Sequence, residues 1–190
     1  MNLRKSLYSL ALFLTPAVAF AHPGHGDSGL LAGLSHPLLG LDHLLAMLAV
    51  GLWAAQQRGA ARWAVPGTFV ACLLLGGLLG FAGVQNPFME TGIAASLLAL
   101  GLLVAVAARL PLAPALGMTA LFALSHGLAH GLELPELANP AGYAGGLLVA
   151  TTALHAIGYA LVRYLPQAAA PLVRAAGLAA AGTGVWLLAG

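Results

Sequence analysis

Long apolar segments separated by short polar breaks constrain this chain more than any other feature. Each segment is about as long as the ~20 residues that a helix needs to cross a hydrocarbon core. The breaks between them are rich in Gly, Pro, Asn, Gln and Arg, which are typical of turns and loops. The sequence therefore predicts an all-α, polytopic membrane helix bundle in residues 36–190, with six transmembrane helices at roughly 36–56, 64–84, 90–108, 112–132, 142–163 and 171–189.

The composition agrees with a membrane protein and excludes several other classes. Hydrophobic residues make up 61% of the chain and charged residues only 6%, whereas a soluble domain carries about 25% charged residues. The net charge is +2 and the basic residues are scattered, so they do not build the basic surface that nucleic acid needs. The single cysteine, Cys72, cannot form an internal disulfide. We therefore expect the chain to contact a lipid bilayer and no nucleic acid.

The first residues have the pattern of a secretory signal peptide. Two basic residues precede an apolar run at 7–18, and an Ala-Phe-Ala tripeptide ends at Ala21, which suits signal peptidase. Cleavage after Ala21 is predicted, which gives a signal peptide at 1–21 and a periplasmic, histidine-containing segment at 22–35. An uncleaved seventh helix is the alternative, although the apolar run is short for a span.

The arginines predict the orientation of the bundle. Cytoplasmic loops of membrane proteins are enriched in Lys and Arg. If the mature N-terminus lies outside the cytoplasm, every arginine of the mature chain falls on the cytoplasmic side: Arg58, Arg62, Arg109, Arg163 and Arg174. The sequence thus predicts a multi-pass protein of the bacterial inner membrane with both mature termini in the periplasm.

Two polar motifs interrupt otherwise apolar segments. Imidazole and carboxylate groups are costly in lipid, so their presence inside a membrane indicates a functional site. The motifs, in the first and fourth predicted spans, are His36-Pro-Leu-Leu-Gly-Leu-Asp42-His43 and His126-Gly-Leu-Ala-His130-Gly-Leu-Glu133.

Helical geometry predicts that each motif presents one polar face at the same outer level. If the first segment is one continuous helix, His36 and His43 project within roughly 20° of each other. The polar residues of the second motif fit inside a stripe of roughly 60°. Glu90 begins the third span at a similar height, and His155 lies near the middle of the fifth. Together these residues predict a polar path that descends into the membrane.

The residue types in this path indicate metal chemistry. Neutral imidazole nitrogen and carboxylate oxygen are good ligands for Ni²⁺, Co²⁺, Zn²⁺ and Cu²⁺. Asp42 either binds metal directly or accepts a ring N–H of His43 and fixes its tautomer. His126 is either a ligand or a hydrogen-bond donor between helices. The candidate metal ligands are His36, Asp42, His43, Glu90, His126, His130, Glu133 and His155.

The first motif resembles the signature helix of a known family, the HupE/UreJ family of nickel permeases and hydrogenase or urease accessory proteins. The resemblance extends across nearly the whole chain, and it is carried by His36-Pro37-x-x-Gly40-x-Asp42-His43-x-x-Ala46-Met47 and by Ser125-His126-Gly127-x-Ala129-His130-Gly131. The positions that match the family's functional motifs are His36, Asp42 and His43, together with His130 and Glu133.

The resemblance implies a secondary permease, not an enzyme. Such a protein takes up Ni²⁺, or Co²⁺ in some members, from the periplasm for hydrogenase or urease maturation, with cytoplasmic nickel chaperones as partners. The ion is then the substrate, and no prosthetic group is expected. The chain has no Gly-x₄-Gly-Lys-[Ser/Thr] motif, so it does not bind ATP through a P-loop. Ligand type alone does not separate Ni²⁺ from Co²⁺.

Two functions of other classes remain as alternatives. An intramembrane zinc-dependent hydrolase would hold one zinc tightly, leave a position open for water and open laterally to lipid. A metal sensor or an assembly partner would bind metal without transporting it.

Overall fold

The protein is an all-helical bundle, as the apolar segments predict. The computed structural model describes residues 28–134 and 138–190, and no strand occurs among them. The predicted signal peptide at 1–21 and the first part of the 22–35 segment lie outside the described residues. The helices are α1 (Ser28–Leu39), α2 (Leu41–Gln56), α3 (Ala61–Phe81), α4 (Met89–Ala105), α5 (Leu112–Leu132), α6 (Pro140–Tyr164) and α7 (Ala170–Ala189), with a 3₁₀ turn (Gln167–Ala169) before α7.

The helices have the length and composition of membrane spans. Four of them, α3, α5, α6 and α7 with its preceding turn, are long and apolar enough to cross a bilayer. The pair α1 and α2 makes a fifth if it forms one broken span, whereas α4 is shorter, at 17 residues. Large apolar side chains such as Leu78, Leu121 and Leu178 are exposed on the outside of the bundle. The membrane helix bundle is thus confirmed, and the count of six spans stays a prediction.

The first predicted span is a broken pair of helices, so the prediction of one continuous helix from residue 36 is wrong. The axes of α1 and α2 are bent by 84°. Gly40, between them, has extended backbone with φ −90° and ψ 115°, and Pro37 lacks the N–H that would continue the helical hydrogen bonds. A Cβ at residue 40 would lie 2.9 Å from Asp42 Oδ1. Glycine therefore leaves room for the polar side chains that begin α2.

The helix before the break begins earlier than the sequence predicts. α1 starts at Ser28 and packs along the first turns of α6. Residues 28–35, which the sequence assigns to an outer segment, are therefore part of the helical bundle.

Glycines let three sets of helices pack with their backbones in contact. Small residues at membrane helix interfaces allow this close approach. α3 packs against α5, α6 packs against both α1 and α2, and α4 packs against α7. The glycines at which an added Cβ would lie 2.7 Å or less from the facing backbone are Gly76, Gly80, Gly127 and Gly131 in the first set, Gly29, Gly33, Gly51, Gly146 and Gly158 in the second, and Gly101, Gly177 and Gly184 in the third.

This packing separates the polar residues into two ends of the bundle. Gln57 Nε2 donates to the Ala108 carbonyl at 2.9 Å, and Arg109 Nε donates to the Gln56 carbonyl at 3.2 Å. The α2–α3 and α4–α5 loops therefore lie at one end, together with the α6–α7 connection. We call it the basic end, because Arg58, Arg62, Arg109, Arg163 and Arg174 lie at or near it; the opposite end, which we call the histidine end, carries His36, Asp42, Glu90 and Glu133.

We expect Gly76→Ala to destabilise the contact between α3 and α5. The added Cβ would lie 2.5 Å from the Leu124 carbonyl oxygen, and overpacking of this kind typically costs about 1–3 kcal/mol. Gly67→Ala on the same helix is the control, because its Cβ would meet no atom within 4 Å. Thermal unfolding of the purified protein in detergent should show a lower Tm for Gly76→Ala only. Equal Tm values for the two variants would contradict this packing.

Candidate metal centre

The bend at Gly40 brings the two sequence motifs together at the histidine end. His36 lies in the last turn of α1, His43 in the first turn of α2, and His126 and His130 in the last two turns of α5. Their rings form a chain in the order His36, His130, His43, His126, with centroid separations of 4.9, 4.4 and 4.9 Å. We call these four side chains the imidazole cluster.

The outer part of the cluster offers three ligands for a metal ion. His36, His130 and Glu133 each present one ligand atom, and these atoms all lie within 4.8 Å of one another. His36 Nε2 lies 2.9 Å from Glu133 Oε2. Two imidazole nitrogens and one carboxylate oxygen suit a divalent transition metal and leave further coordination positions for water. We call these three residues the outer triad.

Glu133 brings a negative charge to the outer triad. It directly follows α5, and its side chain is 47% exposed. The hydrogen bond from His36 lowers the pKa of the Glu133 carboxyl below its ordinary value and outweighs the opposing effect of burial. Glu133 is therefore a carboxylate at neutral pH, and it offsets part of the charge of a bound cation.

His130 is the most deeply buried member of the outer triad. Its side chain is fully buried, and neither ring nitrogen has a hydrogen-bond partner among the described residues. A buried polar atom left without a partner costs about 1–3 kcal/mol, and such atoms are rare in folded proteins. A metal ion in the outer triad would supply a partner for one of these nitrogens.

Asp42 orients His43. Asp42 Oδ1 accepts from both the ring Nδ1–H and the backbone N–H of His43, each at 2.9 Å. An ionised carboxylate only accepts hydrogen bonds, so the ring proton is on Nδ1. The lone pair of His43 is then on Nε2, which is buried and has no hydrogen-bond partner in the described part of the chain. Of the two roles that the sequence leaves open, this geometry favours the one in which Asp42 fixes the tautomer.

Ser96 of α4 orients His126 in a similar way. Its Oγ donates to the Ile93 carbonyl at 2.6 Å and lies 2.8 Å from His126 Nε2. A hydroxyl has one proton, so Nε2 must donate to Oγ. The lone pair of His126 is then on Nδ1, which is buried and unpartnered within the described ranges. His126 therefore links two helices and still keeps a nitrogen for a ligand.

Two other predicted ligands lie apart from the imidazole cluster. Glu90, in the first turn of α4, is exposed and lines a cavity of about 200 Å³ together with Asp42. His155 lies in the middle of α6, where it is buried and has no hydrogen-bond partner among the described residues. The predicted site is thus split into a cluster, an acidic residue beside it and a separate inner histidine.

The inner histidine borders both the core and a larger cavity. The Phe69 ring packs against His155 at 5.1 Å and against His126 at 5.7 Å. On its other side, His155 lines a cavity of about 710 Å³ that extends along α3 and α6 to Trp63 and Tyr164, near the basic end. The lining of this cavity is mostly apolar and an aromatic ring lies between His126 and His155, so the polar path stays a prediction.

Sequence reasoning missed three side chains of the site, namely Ser96, Phe69 and Tyr143. The Tyr143 ring lies 5.7 Å from His36, and its hydroxyl is buried without a partner in the described residues. Serine and aromatic residues are ordinary in membrane helices, so composition and spacing do not mark them. Only packing between helices places them beside histidines: α3 and α4 pack against α5, and α6 packs against α1.

We expect Asp42→Ala to weaken metal binding because the His43 ring loses the group that fixes its tautomer. Loss of such a partner typically costs about 10–100-fold in affinity. Asp42→Asn keeps a carbonyl oxygen that can accept the same ring proton, so it should lose less. Calorimetric titration of the purified protein with Ni²⁺ checks both variants. An unchanged Kd for Asp42→Ala would contradict the orienting role.

Two comparisons with known proteins find relatives over nearly the whole chain. The model of the family described as "HupE / UreJ protein" matches residues 10–187. The curated protein named "Protein HupE" from Rhizobium leguminosarum bv. viciae is 44% identical over 191 residues, which cover 100% of both chains. No solved structure matches the chain. The matches span all seven described helices and both histidine motifs, and the chain belongs to the HupE/UreJ family.

Proposed function

We propose that this membrane protein is a permease that takes up Ni²⁺, with Co²⁺ as an alternative substrate, through the imidazole cluster. The outer triad is the observation that carries the proposal, because it places two imidazoles and a carboxylate within 4.8 Å at one end of an apolar bundle. Membership of the HupE/UreJ family supports metal handling by a transport or accessory protein over catalysis. The similarity to HupE over the full chain supports the same assignment.

The order of exposure suggests how the ion would enter. The exposed carboxylates of Glu90 and Glu133 meet the hydrated ion first. His36 and His130 then replace part of its water shell. His43 and His126 follow. The ring centroid of His43 lies 4.4 Å from that of His130, and the ring centroid of His126 lies 4.9 Å from that of His43. Because each ligand lies close to the next, the ion can exchange one imidazole for another without a bare intermediate.

The proposed direction is from the histidine end to the basic end. The positive-inside rule favours a cytoplasmic basic end, which places the outer triad at the periplasmic face of the inner membrane. Beyond the cluster, His155 and its cavity provide the inward exit. The driving energy comes from a gradient or a partner, and the ion serves hydrogenase or urease maturation, with cytoplasmic nickel chaperones as its acceptors.

One feature favours the intramembrane hydrolase as a second candidate. A cavity of about 280 Å³ between α3, α5 and α6 has an almost wholly apolar lining and reaches His130. A lipid-facing opening beside a metal ligand is what that function requires. A hydrolase would retain one zinc through purification, whereas a permease would hold exchangeable metal.

Uptake measurements test the permease directly. In cells that lack their own nickel importers, accumulation of ⁶³Ni should fall at least about tenfold for His130→Gln and Glu133→Gln, since each removes a ligand of the outer triad. Ser125→Ala is the matched control, because among the residues that the structure describes its hydroxyl bonds only to the Leu121 carbonyl of its own helix. No uptake by the intact chain at matched membrane expression, together with firmly bound zinc, would favour the hydrolase.

Uptake should also fall below about pH 6, because histidine binds metal only in its neutral form. The pKa of Glu133 is lowered, so this carboxylate stays ionised in that range and does not cause the loss. Uptake into proteoliposomes at constant internal pH is the measurement. Unchanged rates down to pH 5 would argue against ligation by His36, the partly exposed imidazole of the outer triad.

A further inference from the structure

A sulfur and an oxygen atom lie together between the imidazole cluster and His155. Met47 is one helical turn after His43 on α2, and Thr151 is one turn before His155 on α6. Thr151 Oγ1 donates to Met47 Sδ at 3.3 Å. Both side chains have 0% exposure. Along the helix axes, the pair therefore lies between the level of the imidazole cluster and the level of His155.

Thr151 differs from three other helical threonines of this chain in the acceptor of its hydroxyl. The hydroxyls of Thr119, Thr152 and Thr183 donate to the carbonyl four residues earlier, at 2.8, 2.7 and 3.1 Å, which is the usual solution in a helix. Thr151 donates instead to a thioether on another helix, and a thioether is a weak acceptor. Its oxygen accepts no hydrogen bond from the described residues. Its lone pairs are therefore available to a cation.

The rest of this level is apolar. Val50, Phe69, Leu73 and Leu147 belong with Met47 to one hydrophobic core cluster. A bare ion in such surroundings would lose tens of kcal/mol of solvation. An ion that passes from the imidazole cluster to His155 therefore needs donor atoms between them, and this pair supplies a sulfur and an oxygen.

We propose that Met47 Sδ and Thr151 Oγ1 form an inner binding station for the transported metal ion. This inference rests on the proposed permease function and adds a site to it. When the ion arrives, the Thr151 hydroxyl leaves the sulfur, and both atoms turn lone pairs toward the ion. A thioether is a poor ligand for Mg²⁺ and Ca²⁺, which prefer oxygen. The station thus favours late transition metals over the abundant hard cations.

Isosteric variants test the station by transport. Met47→Leu and Thr151→Val should each lower ⁶³Ni uptake at least about tenfold and leave the Kd for Ni²⁺ at the outer triad unchanged. Thr151→Ser restores the hydroxyl and should restore uptake. Met118→Leu and Thr152→Val are the matched controls, since Met118 packs against the same core and Thr152, within the described part of the chain, bonds only to its own helix. Uptake at control rates in both Met47→Leu and Thr151→Val would overturn the inference, and the proposed permease function would still stand.

A thiol in place of the thioether gives a readout that does not depend on transport. In a Cys72→Ala background, Met47→Cys protein loaded with Co²⁺ should develop a thiolate-to-metal charge-transfer absorption, because an ion that reaches residue 47 binds thiolate strongly. Met118→Cys in the same background should show none. If cobalt binds the Met47→Cys protein without this absorption, the ion does not reach residue 47 and the station is wrong. Absence of transport and of bound cobalt in the intact chain would overturn the permease itself.

Discussion

The 84° bend at Gly40 determines whether the histidines of this protein can meet. On a continuous helix, His36 and His43 would be separated by about 10 Å along the axis, and one imidazole of α5 could not approach both. With the bend, the rings of His36 and His43 lie 4.9 and 4.4 Å from that of His130. Glycine at the bend leaves room for the side chains of Asp42 and His43. Glycine contacts hold α6 against both helices of the bent pair and hold α5 against α3.

In the cluster formed in this way, several ring nitrogens lack hydrogen bonds, which suits the binding of a ligand more than it suits stability. Ring nitrogens of His43, His126, His130 and His155 are buried without partners among the described residues. Each such atom costs about 1–3 kcal/mol, which is a large share of the 5–15 kcal/mol that typically stabilises a folded domain. Asp42 and Ser96 place protons so that the free nitrogens carry lone pairs. A cation bound in the outer triad would satisfy one nitrogen of His130 and stabilise the folded state through linkage.

Much of this arrangement follows from the sequence, and the part that does not has a physical cause. Apolar length predicts the helices well, as for α5, whose predicted bounds coincide with Leu112–Leu132. The spacing of His126 and His130 on that helix likewise predicts one buried face. Hydropathy does not detect the break at Gly40, because both helices beside it are apolar. The residues of the sequence that indicate the break are Pro37 and Gly40.

The partners of the predicted ligands were beyond sequence reasoning for a different reason. Ser96, Phe69 and Thr151 act through contacts between helices that are far apart along the chain. Their residue types are common in membrane helices, so only tertiary packing distinguishes them. His155 was predicted, but its separation from the cluster by Phe69 depends on the position of α3.

Crystallography can show whether the outer triad binds the transported ion. Crystals of the protein grown with Ni²⁺, with data collected at the nickel absorption edge, would give an anomalous-difference map. We expect a peak within bonding distance of His36, His130 and Glu133, and its loss in His130→Gln crystals. A strong peak elsewhere, with these three side chains unligated, would mean that the ion binds outside the outer triad.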